Sequence, residues 1–261
     1  MSESGKMFIV ATPIGNLEDI TLRALRVLKE VDLILCEDTR VTKKLLDRYE
    51  IQKPLLSYHH HSKLSRVEKI VEHLENGKNL ALVSDAGTPG ISDPGNELIA
   101  NLTKSFSHQM RGDVLKGQRG AEDYQIKHDN TSPDPSSTEE GRIEIIPIPG
   151  ASALTTLASV AGINMSRFTF LGFPPHKKGR ETFFREVAES KCPVIYFESV
   201  HRFLKNLELL EKMKPDAKLI VGRELTKMFE EIVRGEIGEI REDWEKRGSK
   251  ESRGEFVIIA Y

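Results

Sequence analysis

Ser84-Asp85-Ala86-Gly87-Thr88-Pro89-Gly90-Ile91-Ser92-Asp93-Pro94-Gly95 is the stretch on which the fold reading turns. Before it runs Asn79-Leu80-Ala81-Leu82-Val83, short, apolar and suited to a buried parallel strand. After it comes Asn96-Glu97-Leu98-Ile99-Ala100, which has the start of a helix. Glycines, prolines and aspartates between a strand and a helix build a loop with open backbone. In α/β sheets the carboxyl end of a strand is where small ligands dock. Glycine allows close backbone approach, and aspartate accepts hydrogen bonds from ligand hydroxyls or a cation.

The same alternation extends outward in both directions. Strands are expected at 7–11, 32–36, 54–58, 79–83 and 142–147, with helices at 19–30, 42–49 and 65–75 between them. Strands alternating with helices imply parallel pairing with helices on both faces. Pro147-Ile148-Pro149-Gly150 interrupts the pattern and opens a small-residue helix at 151–161, which sets a domain junction at 148/149. The second half, 149–261, then offers strands at 168–171, 194–197 and 218–221 and helices at 181–189 and 202–213. Strand-like runs at 230–235 and 255–261 suggest an antiparallel extension, so the second sheet is expected to be mixed. Residues 105–140 turn to Ser, Asp, Gly, Gln, Lys and Pro without apolar period, and are expected to be a disordered insertion in the first domain.

A length of 261 residues favours two ordinary domains over one. A formal charge of −2 gives no whole-molecule pull toward nucleic acid or membrane, although it permits a local basic face. Cys36 and Cys192 sit far apart in apolar runs, as reduced thiols do in a cytoplasmic protein. The polar residues 1–6 lead straight into a strand, and no apolar run approaches ~18 residues, so neither signal peptide nor membrane span is expected.

Further polar junctions fall at strand ends. Ala11 through Thr21 holds Pro13, Ile14, Gly15 and Asn16; it lacks the glycine spacing of a dinucleotide fold and the lysine of a P-loop. Gly15 and Asn16 suit a left-handed turn, and Asp19 or Thr21 suits a helix cap. Cys36-Glu37-Asp38-Thr39-Arg40 places carboxylates and a guanidinium at a strand end, where a helix cap with a surface ion pair is the plainer reading. Pro149-Gly150-Ala151-Ser152-Ala153 brings a helix start close to any ligand. Glu198-Ser199-Val200-His201-Arg202 and Arg223-Glu224-Leu225-Thr226-Lys227 suggest a polar site facing the first domain, with Glu198 and Arg202 also explicable as a helical pair. His59-His60-His61 cannot all face one way on an extended segment, and no metal site is expected. Lys177 and Lys178 lie in a basic loop suited to phosphates or simply to solvent.

Taken in order, the segments 11–21, 37–40, 84–95 and 147–153 resemble the tetrapyrrole methylase superfamily. Residues 198–202, 223–227 and Gly254-Glu255-Phe256-Val257 resemble its bacterial 16S ribosomal RNA cytidine 2′-O-methyltransferase branch. The likeness implies a two-domain class III methyltransferase that binds S-adenosylmethionine between its domains. By motif, Pro13, Ile14, Gly15, Asp85, Ala86, Gly87, Thr88, Ser152 and Ala153 line the cofactor site, and Phe197 covers it. The substrate it implies is a decoding-centre cytidine of 16S rRNA within the small ribosomal subunit, and a homodimer is usual in the superfamily. Two departures stand out: the 105–140 insertion, and His59-His60-His61-Ser62 where the family often has His-Glu-His-Asn.

Transfer to a ribose hydroxyl needs its oxygen in line with the methyl group and its proton drawn away. Glu37, Asp38, Glu198 and His201 are candidate acceptors. Arg40 with Glu198 and His201 is expected to frame the hydroxyl. Glu37, Asp38, His59, His61, Lys177, Lys178, Arg202, Arg223 and Lys227 are expected to contact substrate, with Tyr58 and Phe173 as stacking partners. A tetrapyrrole precursor methylase and a non-catalytic ribosome assembly factor are the competing readings.

Overall fold

The computed structural model describes residues 4–58, 64–93, 95–109, 143–251 and 254–261. Its first sheet holds β1 (Lys6–Val10), β2 (Leu33–Cys36), β3 (Leu55–Ser57), β4 (Leu80–Val83) and β5 (Glu144–Ile148). They lie in the order β3-β2-β4-β1-β5, every pairing parallel. Strand side chains alternate between two buried faces. Val10, Ile34, Cys36, Ala81 and Val83 meet α1 (Leu22–Glu30) and α2 (Thr39–Arg48) on one. Met7, Ile9, Leu35, Leu80 and Leu82 meet α3 (Leu64–Glu75) and α4 (Gly95–Gln109) on the other. Two buried faces explain why these strands run apolar apart from Lys6, Ser57 and Glu144 at their ends. The last residues of α4 carry helix into the stretch expected to be disordered from 105; the rest of that stretch lies outside the described residues.

The second sheet runs β6-β7-β10-β8-β9. It comprises β6 (Thr169–Phe170), β7 (Val194–Ser199), β8 (Lys218–Arg223), β9 (Glu231–Glu236) and β10 (Glu255–Ala260). β6 and β7 are parallel and the remaining pairings antiparallel, so the sheet is mixed. The last strand in sequence does not extend the sheet at its edge: β10 lies in the middle, between β7 and β8. One face of this sheet is covered by α6 (Arg180–Glu189), α7 (Phe203–Met213) and α8 (Ile237–Glu251) around Phe184, Phe203, Trp244 and Phe256. The other face receives α5 (Ala153–Ser159) and, from the first half, Ile14. α5 thus packs on the second sheet although it follows β5 directly.

Candidate functional site

β1 and β4 are neighbours at the centre of the first sheet, and their following loops are joined where the sheet ends. Thr12 N–H donates to the Gly87 carbonyl (2.9 Å), and Gly87 N–H returns a bond to Thr12 (3.1 Å). The buried Thr12 and Ser84 hydroxyls hold the same turn, donating to Ser84 O (3.1 Å) and Gly87 O (3.1 Å) respectively. Gly87 has φ +83°, and a Cβ there would stand 3.3 Å from Ile14 Cγ2. The backbone angle therefore calls for glycine, and the tight approach of Ile14 adds to the cost of any side chain there. Thr88 Oγ1 donates to Ala151 O (3.1 Å), tying the loop to the start of α5. Asp93 Oδ1 closes the far end by accepting from Gly90 N (2.7 Å) and Gly95 N (2.8 Å).

These loops form the floor of a cleft of about 510 Å³, within the range of small-molecule sites. Ile14, Glu37, Ser84–Thr88, Ile91–Asp93, Ser152 and Ala153 line it from below. Phe173, Phe197–Val200, Leu225 and Gly254–Val257 line it from the second sheet. Phe197 is braced edge-on by Phe170, centroids 5.1 Å apart, and by Phe173 at 5.2 Å. The cleft thus carries Glu37, Ser84, Asp85, Thr88, Ser92 and Asp93 on its floor, and a wall dominated by Phe173, Phe197, Val200, Leu225, Phe256 and Val257. Asp85 reaches across the floor, its Oδ1 accepting from Asp38 N (2.9 Å). Burial pushes the Asp85 carboxyl above its ordinary range, and the Asp38 amide opposes this only in part.

Most residues expected at a cofactor meet in this one cleft: Ile14, Asp85, Ala86, Gly87, Thr88, Ser152, Ala153 and Phe197. Pro13 and Gly15 flank Ile14 without lining it. Gly15 is not the left-handed residue its sequence suggested, since its φ is not positive. It is small because Lys227 and Thr226 cross it: a Cβ would overlap Lys227 Cγ and come within 2.9 Å of Thr226 Oγ1. Asn16 N–H donates to that same hydroxyl (3.0 Å). Lys227 itself bonds Glu224 (2.9 Å) and Glu255 (3.0 Å). Burial works against its ammonium, but these carboxylates outweigh it and raise the pKa. Arg223 pairs with Glu231 at 3.5 Å.

The acid–base candidates are dispersed. Glu37 is exposed and lines the cleft. Asp38 caps α2 through Arg40 N (2.8 Å) and is gripped by the Arg40 guanidinium, Nε to Oδ1 3.0 Å and Nη2 to Oδ2 2.6 Å. That guanidinium holds the Asp38 carboxyl down at about 2. The Arg40 side chain is 87% exposed and lies outside the cleft lining. Glu198 is 1% exposed, and both its oxygens are engaged. Oε1 accepts from Ser199 N (2.7 Å) and faces Arg202 Nη2 at 3.4 Å, while Oε2 accepts from Asn206 Nδ2. Arg202 also donates to Ser199 Oγ (2.9 Å) and Pro174 O (2.8 Å). His201 is exposed at the turn before α7, outside the cleft lining but next to Val200. Lys177 and Lys178 line a different groove, between α6 and α7. His59 and His61 lie outside the described residues.

Tyr58 cannot stack on a substrate, because it is buried among Leu35, Ile70 and Leu74. The cleft wall at Gly254–Val257 was not among the expected site residues. Only the placement of β10 at the sheet centre brings its first residues to the cleft, and nothing local in those residues signals a central position. Among the described residues, no group of three His, Cys, Asp or Glu side chains converges as a metal ion would require.

Comparisons with known proteins agree in one direction. The sequence pattern described as Tetrapyrrole (Corrin/Porphyrin) Methylases matches residues 6–108 and 137–241. The chain is 38% identical over 255 residues to the Ribosomal RNA small subunit methyltransferase I of Thermotoga maritima, covering 98% of this chain and 97% of that protein. It is 38% identical over 259 residues to the protein of the same name from Bacillus subtilis, covering 99% and 75%. Among solved structures, a cobalt precorrin-4 methyltransferase aligns at TM-score 0.62 and 18% identity, covering 98% of this chain and 94% of that one. A uroporphyrin-III C-methyl transferase from Thermus thermophilus, complexed with S-adenosyl homocysteine, aligns at TM-score 0.56 and 14% identity, covering 98% and 97%. At such identities these two structures speak for the fold.

Proposed function

Because this chain belongs to the tetrapyrrole methylase family, alongside the ribosomal RNA small subunit methyltransferase I proteins, we propose that it methylates ribosomal RNA using S-adenosylmethionine. The acceptor in this reading is the ribose 2′-hydroxyl of a decoding-centre cytidine in 16S RNA, presented on the small subunit. The observation that carries it is the cleft: a glycine-opened floor bearing polar side chains at two adjoining strand ends, closed by a largely apolar wall from the second sheet.

The residues present suit the cofactor. Ile14, Phe197, Leu225 and Val257 offer apolar surface to a base, while Asp85 offers an acceptor to hydroxyl and ammonium groups. When bound, S-adenosylmethionine supplies an electrophilic methyl group on its sulfonium. The chain's own task is to bind, align and deprotonate. Phe173, exposed at the cleft mouth against Phe197, presents a stacking face to an unpaired base. Glu37 is the carboxylate best placed to accept the hydroxyl proton, since it is exposed within the cleft. Asp38 is held ionised by Arg40 and is a weaker base for it. Glu198 and Arg202 act by holding the cleft wall in place. Residues 1–148 and 149–261 serve as the two domains, each built on its own sheet.

In this reading a ribosomal substrate implies a cytoplasmic enzyme; no helix among the described residues is long and apolar enough to cross a membrane. Self-association into a homodimer is supported by an apolar surface at Leu22, Met228 and Phe229, which are 85%, 91% and 67% exposed. The loop of Met228 and Phe229 touches the segment that precedes α1, where Asn16 N–H donates to Thr226 Oγ1.

Transfer of labelled methyl to small subunits lacking this modification tests the reading, with naked 16S RNA in parallel and the product nucleotide mapped. Label on a decoding-centre ribose is the expected result, and Glu37→Gln should lower kcat while leaving cofactor affinity within about threefold. Label on an added tetrapyrrole instead would overturn the substrate. Absence of S-adenosylmethionine binding would leave only an assembly factor.

A further inference from the structure

A second groove lies on the other side of the Glu198 network, between the start of α6 and the exposed flank of α7. It measures about 490 Å³, close to the cleft in size. Lys177, Lys178 and Arg180 line it from the α6 side, and Lys205 and Lys212 from α7. Glu181 and Glu208 are the carboxylates in its lining. Lys212 pairs with Glu208 at 2.8 Å, whereas Lys177, Lys178, Arg180 and Lys205 have no ion pair among the described residues. A chain of formal charge −2 has therefore gathered a local excess of positive charge around one concavity. α6 reinforces it: its N-cap Gly179 is left-handed at φ 91° and supplies no side-chain bond, so the first-turn amides add to the positive end.

The groove is mechanically continuous with the cleft. Phe173 lines the cleft and Lys177 the groove, and four residues span at most about 14 Å of chain. Pro174 between them is fastened by Arg202, and Arg202 faces Glu198 in the cleft wall. Asn206 lines the groove while donating to Glu198 from its other side. One buried network thus holds the cleft wall and the groove floor in fixed relation.

The geometry points to a phosphate-backbone site in this groove, which grips the same RNA strand a few nucleotides from the ribose held in the cleft. The inference rests on the proposed RNA substrate and adds to it a binding surface outside the reaction site. Long, exposed lysines around an open groove suit contacts that carry affinity without base sequence. Distance from the reacting atoms means the groove should govern RNA affinity and leave chemistry alone.

The test compares the full chain with K178E/K205E and with K29E/K69E, an equal charge change at exposed positions on α1 and α3. Equilibrium binding to unmodified small subunits is measured from ~50 to ~200 mM salt, where phosphate contacts dominate the salt dependence. Methyl transfer, S-adenosylmethionine affinity and thermal unfolding are measured beside it. The expected result for K178E/K205E is roughly tenfold weaker RNA binding at low salt, with the log–log salt slope shallower by about 1.4 for two lost contacts. KM for RNA should rise, with kcat and cofactor affinity as in the unaltered chain and in K29E/K69E. If K178E/K205E binds with the affinity and slope of K29E/K69E while the unaltered chain methylates RNA, the groove proposal is overturned and the proposed function stands. If the unaltered chain neither binds nor methylates ribosomal RNA, the function falls and the groove proposal falls with it. K178A/K205A separates lost attraction from introduced repulsion: losing the same two contacts, it should also flatten the slope by about 1.4 while weakening binding less than K178E/K205E does, and an unchanged slope counts against the proposal.

Discussion

Asp85 shows how a single side chain divides its duties between fold and site. Its carboxylate receives the Asp38 amide, which anchors the loop after β4 to the start of α2. Burial nevertheless raises its pKa, so the ionised form is disfavoured in the folded protein relative to the unfolded chain. The sign follows by linkage: with a folded pKa above the unfolded one, stability is higher at acid pH and declines as pH rises through the folded value. An Asp85→Asn protein keeps an oxygen for the Asp38 amide and loses the charge. Its Tm should exceed that of the unaltered protein at neutral pH, and the difference should vanish as pH falls below the carboxylate range. Cofactor affinity should fall at the same time, by tenfold or more on a ~1.4 kcal/mol scale. A pH series of thermal melts with and without S-adenosylmethionine checks both halves; a variant less stable at neutral pH would contradict the account. Other residues changed meaning on folding. Gly15 looked like a turn glycine, yet it is small because Lys227 lies across it. Lys227 and Arg223, read as substrate contacts, spend their charge on Glu224, Glu255 and Glu231.

Elements with both faces buried were legible; elements whose burial depends on distant partners were not. The five parallel strands are each built on an apolar run, with polar residues only at the ends of β1, β3 and β5, and their positions follow within a residue or two of the sequence pattern. α8 was missed because only Ile237, Ile240 and Trp244 of its first two turns are buried, against many charged neighbours and Gly238. That spacing of three and four residues is the helical signal, but the polar sequence around it masks the stripe. Its anchor is Trp244, fully buried, edge-on to Phe203 at 5.3 Å and capped by the Arg247 guanidinium 4.3 Å from its ring. Phe203 and Phe256 stack beside it at 4.2 Å. Trp244→Ala should cost about 3–5 kcal/mol, as large buried aromatics do. Denaturant unfolding checks this, and a loss under 1 kcal/mol would mean that α8 is held by its ion pairs instead. The substitution should also loosen the cleft wall, since Phe256 belongs to both the core and that wall.

At the scale of the whole molecule, the exposed Leu22, Met228 and Phe229 predict self-association. The unaltered chain should sediment as a dimer, and a Met228→Lys/Phe229→Ser protein at the same concentration as a monomer. If both behave alike, the patch is not the contact. The loop carrying these residues also holds Thr226 and Lys227 against the first half, so monomerisation and weakened cofactor binding should be measured together. The sequence alone determined the alternation of strands and helices, the mixed character of the second sheet and the loops at strand ends, because hydrophobic period and glycine content are local properties. It also carried the family likeness, since the order of motifs survives without coordinates. Tertiary structure alone decided that the final strand lies at the centre of its sheet and that Gly254–Val257 consequently wall the cleft. It likewise decided which charges were consumed by partners and which were left to gather around the α6–α7 groove. The physical reason is common to both: strand neighbours and charge partners are set by contacts between residues far apart in the chain, and no short window of sequence contains both members of such a pair.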